Sequence, residues 1–129
     1  MHALKPATQV IACEVENAAP LAAALVAGQP TPIDYRRSFV DGIGSGAVLP
    51  AMWPVVSSLL FRSIVVPLPQ IEAALRQMIN RLHIIAEGAG ATALAAAQAT
   101  GLTGKKIVAV ISGSGINFSE VSRIMAAGA

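Results

Sequence analysis

Three short stretches hold the residues that could do chemistry. In "HIIAEGAGATALAAA" (His83 to Ala97) an apolar run meets the carboxylate of Glu87, then a glycine turn, then an alanine-rich helix. "IVAVISGSGINFSE" (Ile107 to Glu120) repeats the plan of apolar strand, Ser/Gly turn and helix, with Ser112 at the turn. A strand that feeds a turn and opens a helix presents unbonded N–H groups, and α/β proteins place ligands there. The third stretch, "DGIGSG" (Asp41 to Gly46), has glycines that let backbone lie close to the flat face of a ligand.

Each stretch also has a plainer reading. "GAGATA" (Gly88 to Ala93) fits the G-x-G-x-x-A pattern of dinucleotide sites. That pattern wants an acidic residue at the end of the next strand, roughly 20 positions on, and "VAVIS" ends in Ser112. Small residues at a helix start serve close helix–sheet packing equally well. Glu14 follows a strand and reads as a carboxylate near a helix start. His2 and His83 are far apart, with no cysteine or carboxylate at zinc spacing, and no Ser/His/Asp set stands out. Cys13, the single cysteine, lies in the apolar run "VIACEV", reads as a small core residue and suits a reducing cytosol.

The elements that must position these residues follow from pattern. "TQVIACEV" reads as a buried strand, and "NAAPLAAALVAG" as a helix ended by Gly28. "QPTPIDYRRSFVDGIGSG" is loop, with a short strand over Ile33 to Tyr35. "AMWPVVSSLLF" is a helix with Pro54 in its first turn, and "SIVVPL" a strand. Pro69 opens the helix "PQIEAALRQMINRL", whose apolar stripe is Ile71, Leu75, Met78 and Leu82 and whose exposed side pairs Glu72 with Arg76. A helix over Gly88 to Thr100, a turn "GLTGKK", a strand "IVAVIS" and a last helix "NFSEVSRIMA" complete the chain. Alternating strands and helices predict an α/β fold: an open, mostly parallel sheet with helices on both faces, in which Val10 to Glu14, Ser63 to Val66 and Ile107 to Ile111 share one sheet. The stub "MHALKP" reads as the last turn of a helix, so residues 1–129 are expected to be a single partial domain.

Composition narrows the partners. The 129 residues are 54% hydrophobic and 12% charged, about half the usual charge. So little polar material points to burial in a homo-oligomer or in something larger. A net charge of +2, with Arg36-Arg37 and Lys105-Lys106 as short solvated pairs, is no nucleic-acid footprint. "MHALKPATQ" is no secretory signal, and "VLPAMWPVVSSLLF" is too short and proline-broken to span a bilayer.

The order "VIACEVENAAPLAAAL", "SFVDGIGSG", "IEAALRQMINRLHIIAEGAGATALAAA", "KKIVAVISGSGIN" resembles the C-terminal portion of fold-type II (tryptophan synthase β-like) pyridoxal-phosphate enzymes: threonine dehydratases, L-serine dehydratases and serine racemases. The resemblance runs from about Leu4 to the end. It implies a large cofactor-binding domain, a cytoplasmic enzyme, and a threonine or serine substrate converted to a 2-oxo acid and ammonia. It also implies that Ser112 meets the pyridine nitrogen, that Gly42 lies near the ring, and that Glu87 stands at the cofactor side of the strand end. Some relatives hold a divalent cation with a glutamate, a carbonyl and an aspartate; Glu14 and Ala18 match the first two, and Pro20 stands at the third. The family reads Ser-Gly-Gly-Asn after the last strand, whereas Ser114 and Gly115 stand at its last two positions. The lysine that bonds the cofactor has no counterpart in Lys5, Lys105 or Lys106, and the phosphate cradle has none either. The chain alone is therefore expected to be inactive. The alternative is a non-catalytic α/β small-ligand module or a gene remnant.

Overall fold

The computed structural model of the chain describes residues 3–127. The β-branched run after Gln9 forms strand β1 (Ile11–Val15), and the next such run forms β2 (Arg62–Val66). They pair in parallel, from Ile11 opposite Arg62 to Val15 opposite Val66. A parallel pair needs a crossover, which here carries helices α1 (Pro20–Ala27) and α2 (Trp53–Leu59). Each has a proline in its first turn, where the missing N–H costs no helical bond. Gly28 ends α1 in the left-handed region at φ 70°, where a side chain would be strained.

Helices α3 (Leu68–Gln77), α4 (Gly88–Ala99) and α5 (Phe118–Ala126) follow. Both α1 and α4 pack on the strand pair, α3 packs on α4, and α5 on α3. The core lies between them: Val15 and Val66 from the strands, Ile71 and Leu75 from α3 and Met78 directly after it, Ala91 and Ala95 from α4, and Ile124 from α5. Small buried residues on α4, Gly88, Gly90, Ala91 and Ala95 among them, let it pack closely on both strands. The α/β class and the parallel pairing agree with the sequence reading.

Several expectations are corrected. Ile107 to Ile111 forms no strand and has no ladder partner, with Val108 86% and Val110 72% exposed. A strand is defined by a partner, and the described residues offer this segment none. Ile33 to Tyr35 is not a strand: Tyr35 N–H bonds Ile33 C=O at 3.0 Å, which folds the segment on itself. The helix opened near Pro69 runs as α only to Gln77, then widens into a π turn over Met78–Leu82. The wider turn rotates Leu82 off the stripe, so it is exposed while Ile71, Leu75 and Met78 are buried. Glu72 and Arg76 do not pair with each other. Glu72 takes Arg123 Nη2 at 2.6 Å, and Arg76 donates to the Ile124 carbonyl at 3.1 Å, so both tie α3 to α5. At the start, Met1 and His2 lie outside the described residues, and residues 3–7 run through turns rather than a helix.

Candidate functional site

Asp41 organises the loop that carries Gly42. Its carboxylate accepts from the Ser38 N–H, the Tyr35 hydroxyl and Arg37 Nε, each at 3.2 Å. These donors, the Ser38 backbone first, hold the Asp41 carboxyl below its ordinary value. A short 3₁₀ turn over Asp41–Ile43 follows, closed by the Gly44 N–H on the Asp41 carbonyl at 3.0 Å. The preceding Phe39 packs on the first residue of α4: a Cβ on Gly88 would stand 2.7 Å from the Phe39 carbonyl oxygen. Arg123 of α5 lies over the Phe39 ring, 5.9 Å from its centroid, within cation–π range. The loop is thus held between α4 and α5.

Glu87 is the last extended residue before α4, at φ −78° and ψ 166°. Its half-buried side chain faces glycines on two stretches of backbone, Gly42 on one and Gly113 and Gly115 on the other. A Cβ on Gly42 would stand 3.1 Å from Glu87 Oε1, and one on Gly115 would stand 3.1 Å from Oε2. A Cβ on Gly113 would overlap the Glu87 carboxylate outright, and Gly113 sits at φ 76°. The Glu87 N–H donates to the Gly113 carbonyl at 3.2 Å. Ser112 is exposed beside this point, and a Cβ on Gly90 in the first turn of α4 would run into its carbonyl oxygen. Gly42, Glu87 and the Ser112–Gly115 turn, distant in sequence, therefore converge at the opening of α4. Glu87 and Ser112 share one edge, as expected.

The space a Cβ would take at Gly42, Gly113 and Gly115 is filled by Glu87, while Ser112 stays exposed at the rim with a hydroxyl whose chemistry suits the ring nitrogen of a group such as pyridoxal phosphate. No lysine is among these residues: Lys5 lies before β1 in the chain, and Lys105 and Lys106 lie before the segment that leads to Ser112. Neither matched residue of the cation set is placed at this point. Glu14 is buried on β1 with its carboxylate on the first turn of α1, and Ala18 is buried with its N–H on the Val15 carbonyl at 2.9 Å. Among the described residues no three His, Cys, Asp or Glu side chains gather as a metal site. Asp41 is the member that sequence reasoning missed. Its signal was position: an Asp three residues after Ser38 and directly before Gly42 is turn chemistry. The Arg123–Phe39 contact had no signal, because it joins residues far apart in the chain.

A family model described as pyridoxal-phosphate dependent enzyme matches residues 1–113. The biosynthetic L-threonine dehydratase of Lactococcus lactis is 31% identical over 121 residues, which are 92% of this chain and 29% of that protein. The L-threonine ammonia-lyase of Thermotoga maritima is 27% identical over 126 residues, 97% of this chain and 31% of its own length. The chain thus spans under a third of these relatives. Among solved structures, maize serine racemase superposes with a TM-score of 0.83 at 24% identity, covering 99% of this chain and 42% of that one. The processed form of threonine deaminase isoform 2 from Solanum lycopersicum gives a TM-score of 0.88 at 24% identity, covering 97% and 38%. No helix among the described residues is long and apolar enough to cross a membrane.

Proposed function

The chain belongs to the family of pyridoxal-phosphate-dependent enzymes, and we propose that it is the C-terminal portion of the cofactor domain of an ammonia-lyase acting on threonine or serine. The intact enzyme would form a 2-oxo acid and ammonia, would be cytoplasmic, and would assemble as a homo-oligomer. The observation that carries this reading is the convergence of Gly42, Glu87 and Ser112 at the opening of α4.

When bound, the cofactor supplies an electron sink for the bonds around the substrate α-carbon. Ser112 would hold the ring nitrogen with its hydroxyl, a weak acid that can donate a hydrogen bond without giving up its proton, a setting suited to loss of a β-hydroxyl. Gly42 would lie near the ring, and Asp41 keeps its backbone in place. Glu87 fixes the Gly113 turn through its own N–H and packs its carboxylate against that turn. This chain would hold and orient the ring, and the residue that moves the α-proton would be supplied from outside it.

One observation favours a second reading. None of Lys5, Lys105 and Lys106 is at the candidate site, which would suit a non-catalytic ligand-binding module or a gene remnant. The coding DNA upstream of Met1 separates the two. An open frame carrying a lysine and a glycine-rich run supports the enzyme. A stop codon directly upstream in frame, with no such segment, supports the second reading.

A further inference from the structure

The end of β1 and the turn after it, Glu14-Val15-Glu16-Asn17, is where the family resemblance would put a divalent cation. The geometry gives Glu14 a different task. Its Oε1 accepts the Leu21 N–H at 2.7 Å, and its Oε2 accepts the Ala22 N–H at 2.7 Å and the Ser63 hydroxyl at 2.6 Å. Leu21 and Ala22 are the second and third residues of α1, whose N–H groups have no partner inside the helix. Nothing local can serve them. The cap position is Ala19, no acid stands in the first turn, and no side chain caps the helix from its own end. The demand is met across space by a carboxylate on the neighbouring strand, only 8% exposed.

The surroundings leave no room for a cation in that role. Magnesium and calcium want six or more oxygen ligands. Here the carboxylate already receives three donors, two of them at the positive end of a helix dipole. A cation at Glu14 would have to displace at least one of these bonds and leave a part-buried N–H unpaired. Pro20, at the third position of the set, has no side-chain oxygen to offer. The next acid is engaged in the same manner: Glu16 accepts the Leu68 N–H, at the first residue of α3, at 2.9 Å. Two acids, one at the end of β1 and one just after it, thus anchor two helices.

We propose that Glu14 is a remote cap that bolts α1 to both strands, and that the fold of this chain is independent of divalent cations. The proposal does not rest on the cofactor reading, and neither outcome of its test bears on that reading. The test is thermal unfolding of the purified chain with EDTA and with millimolar magnesium, calcium or manganese, alongside calorimetric titration of each ion. The wild-type melting temperature should be the same in all four conditions, with no saturable heat. Glu14→Gln turns one acceptor into a donor facing a donor, and should lower the melting temperature by roughly 5 °C or more. Ser63→Ala should lower it less. A saturable cation-dependent rise in the wild type would overturn the proposal. So would a Glu14→Gln chain that melts with the wild type. The cation titration uses the wild type alone, so it decides the matter even where Glu14→Gln does not fold.

Discussion

Gly113 is the residue at which sequence, backbone and site meet most tightly. It stands in the left-handed region and directly against the Glu87 carboxylate. Gly113→Ala would cost about 1–2 kcal/mol from the backbone alone, before the overlap is counted. It should lower the melting temperature by roughly 5 °C or more and displace Glu87. Gly28→Ala, also left-handed but with open space around it, isolates the backbone part of that cost. If the two variants lose equal stability, Glu87 is not packed against the turn as described. Ser112 makes a functional prediction instead. In the intact enzyme Ser112→Ala should lower turnover about fivefold, the equivalent of one hydrogen bond of about 1 kcal/mol. Cofactor affinity should change less, because phosphate contacts lie elsewhere. Unchanged turnover would remove Ser112 from the ring nitrogen.

At the scale of elements, α5 and the Ile107–Ile111 segment before it behave oppositely. Arg123 bonds Glu72 and Glu120, and these partners, Glu120 first, strengthen its hold on its proton. Ile124 is buried beneath it. Ile107–Ile111 has no strand partner among the described residues. Amide hydrogen exchange of the chain should therefore be slow in β1, β2 and the middle of α4, and fast across Ile107–Ile111. Slow exchange throughout that segment would mean that it is paired. The contrast also marks what the sequence made legible. Strands β1 and β2 and the helices near Pro20, Gly88 and Phe118 could be read, because β-branched runs, prolines and glycine turns are local signals, whereas the grouping of Gly42, Glu87 and Ser112 came from the family resemblance of their motifs in order. The third strand could not be judged, because an apolar run states burial without naming its partner. The π turn at Met78 and the exchange of Arg76 from Glu72 to α5 depend on packing between distant elements. Glu14 read correctly as a carboxylate near a helix start, but the strand-to-helix reach needed coordinates.

At the scale of the molecule, the exposed apolar residues set the expectation. Val108, Val110 and Phe118 are 86%, 72% and 85% exposed, and large bare apolar surface favours association. The isolated chain should sediment as more than a monomer; a monodisperse monomer at micromolar concentration would show that this surface needs no cover. Cys13 should not complicate such work, because burial raises its thiol above the ordinary value and leaves little thiolate near neutral pH.

The central claim is that this chain presents the ring-facing wall of a pyridoxal-phosphate site and not the lysine that completes it. Mixing the purified chain with pyridoxal phosphate, reducing with borohydride and mapping the labelled amines by mass spectrometry tests that claim directly. Threonine and serine are offered in parallel and 2-oxo acid is measured. The account predicts thin labelling spread over Lys5, Lys105 and Lys106, as for any exposed amine, and no 2-oxo acid. Stoichiometric labelling of a single lysine, together with 2-oxo acid formed from threonine or serine, would contradict it.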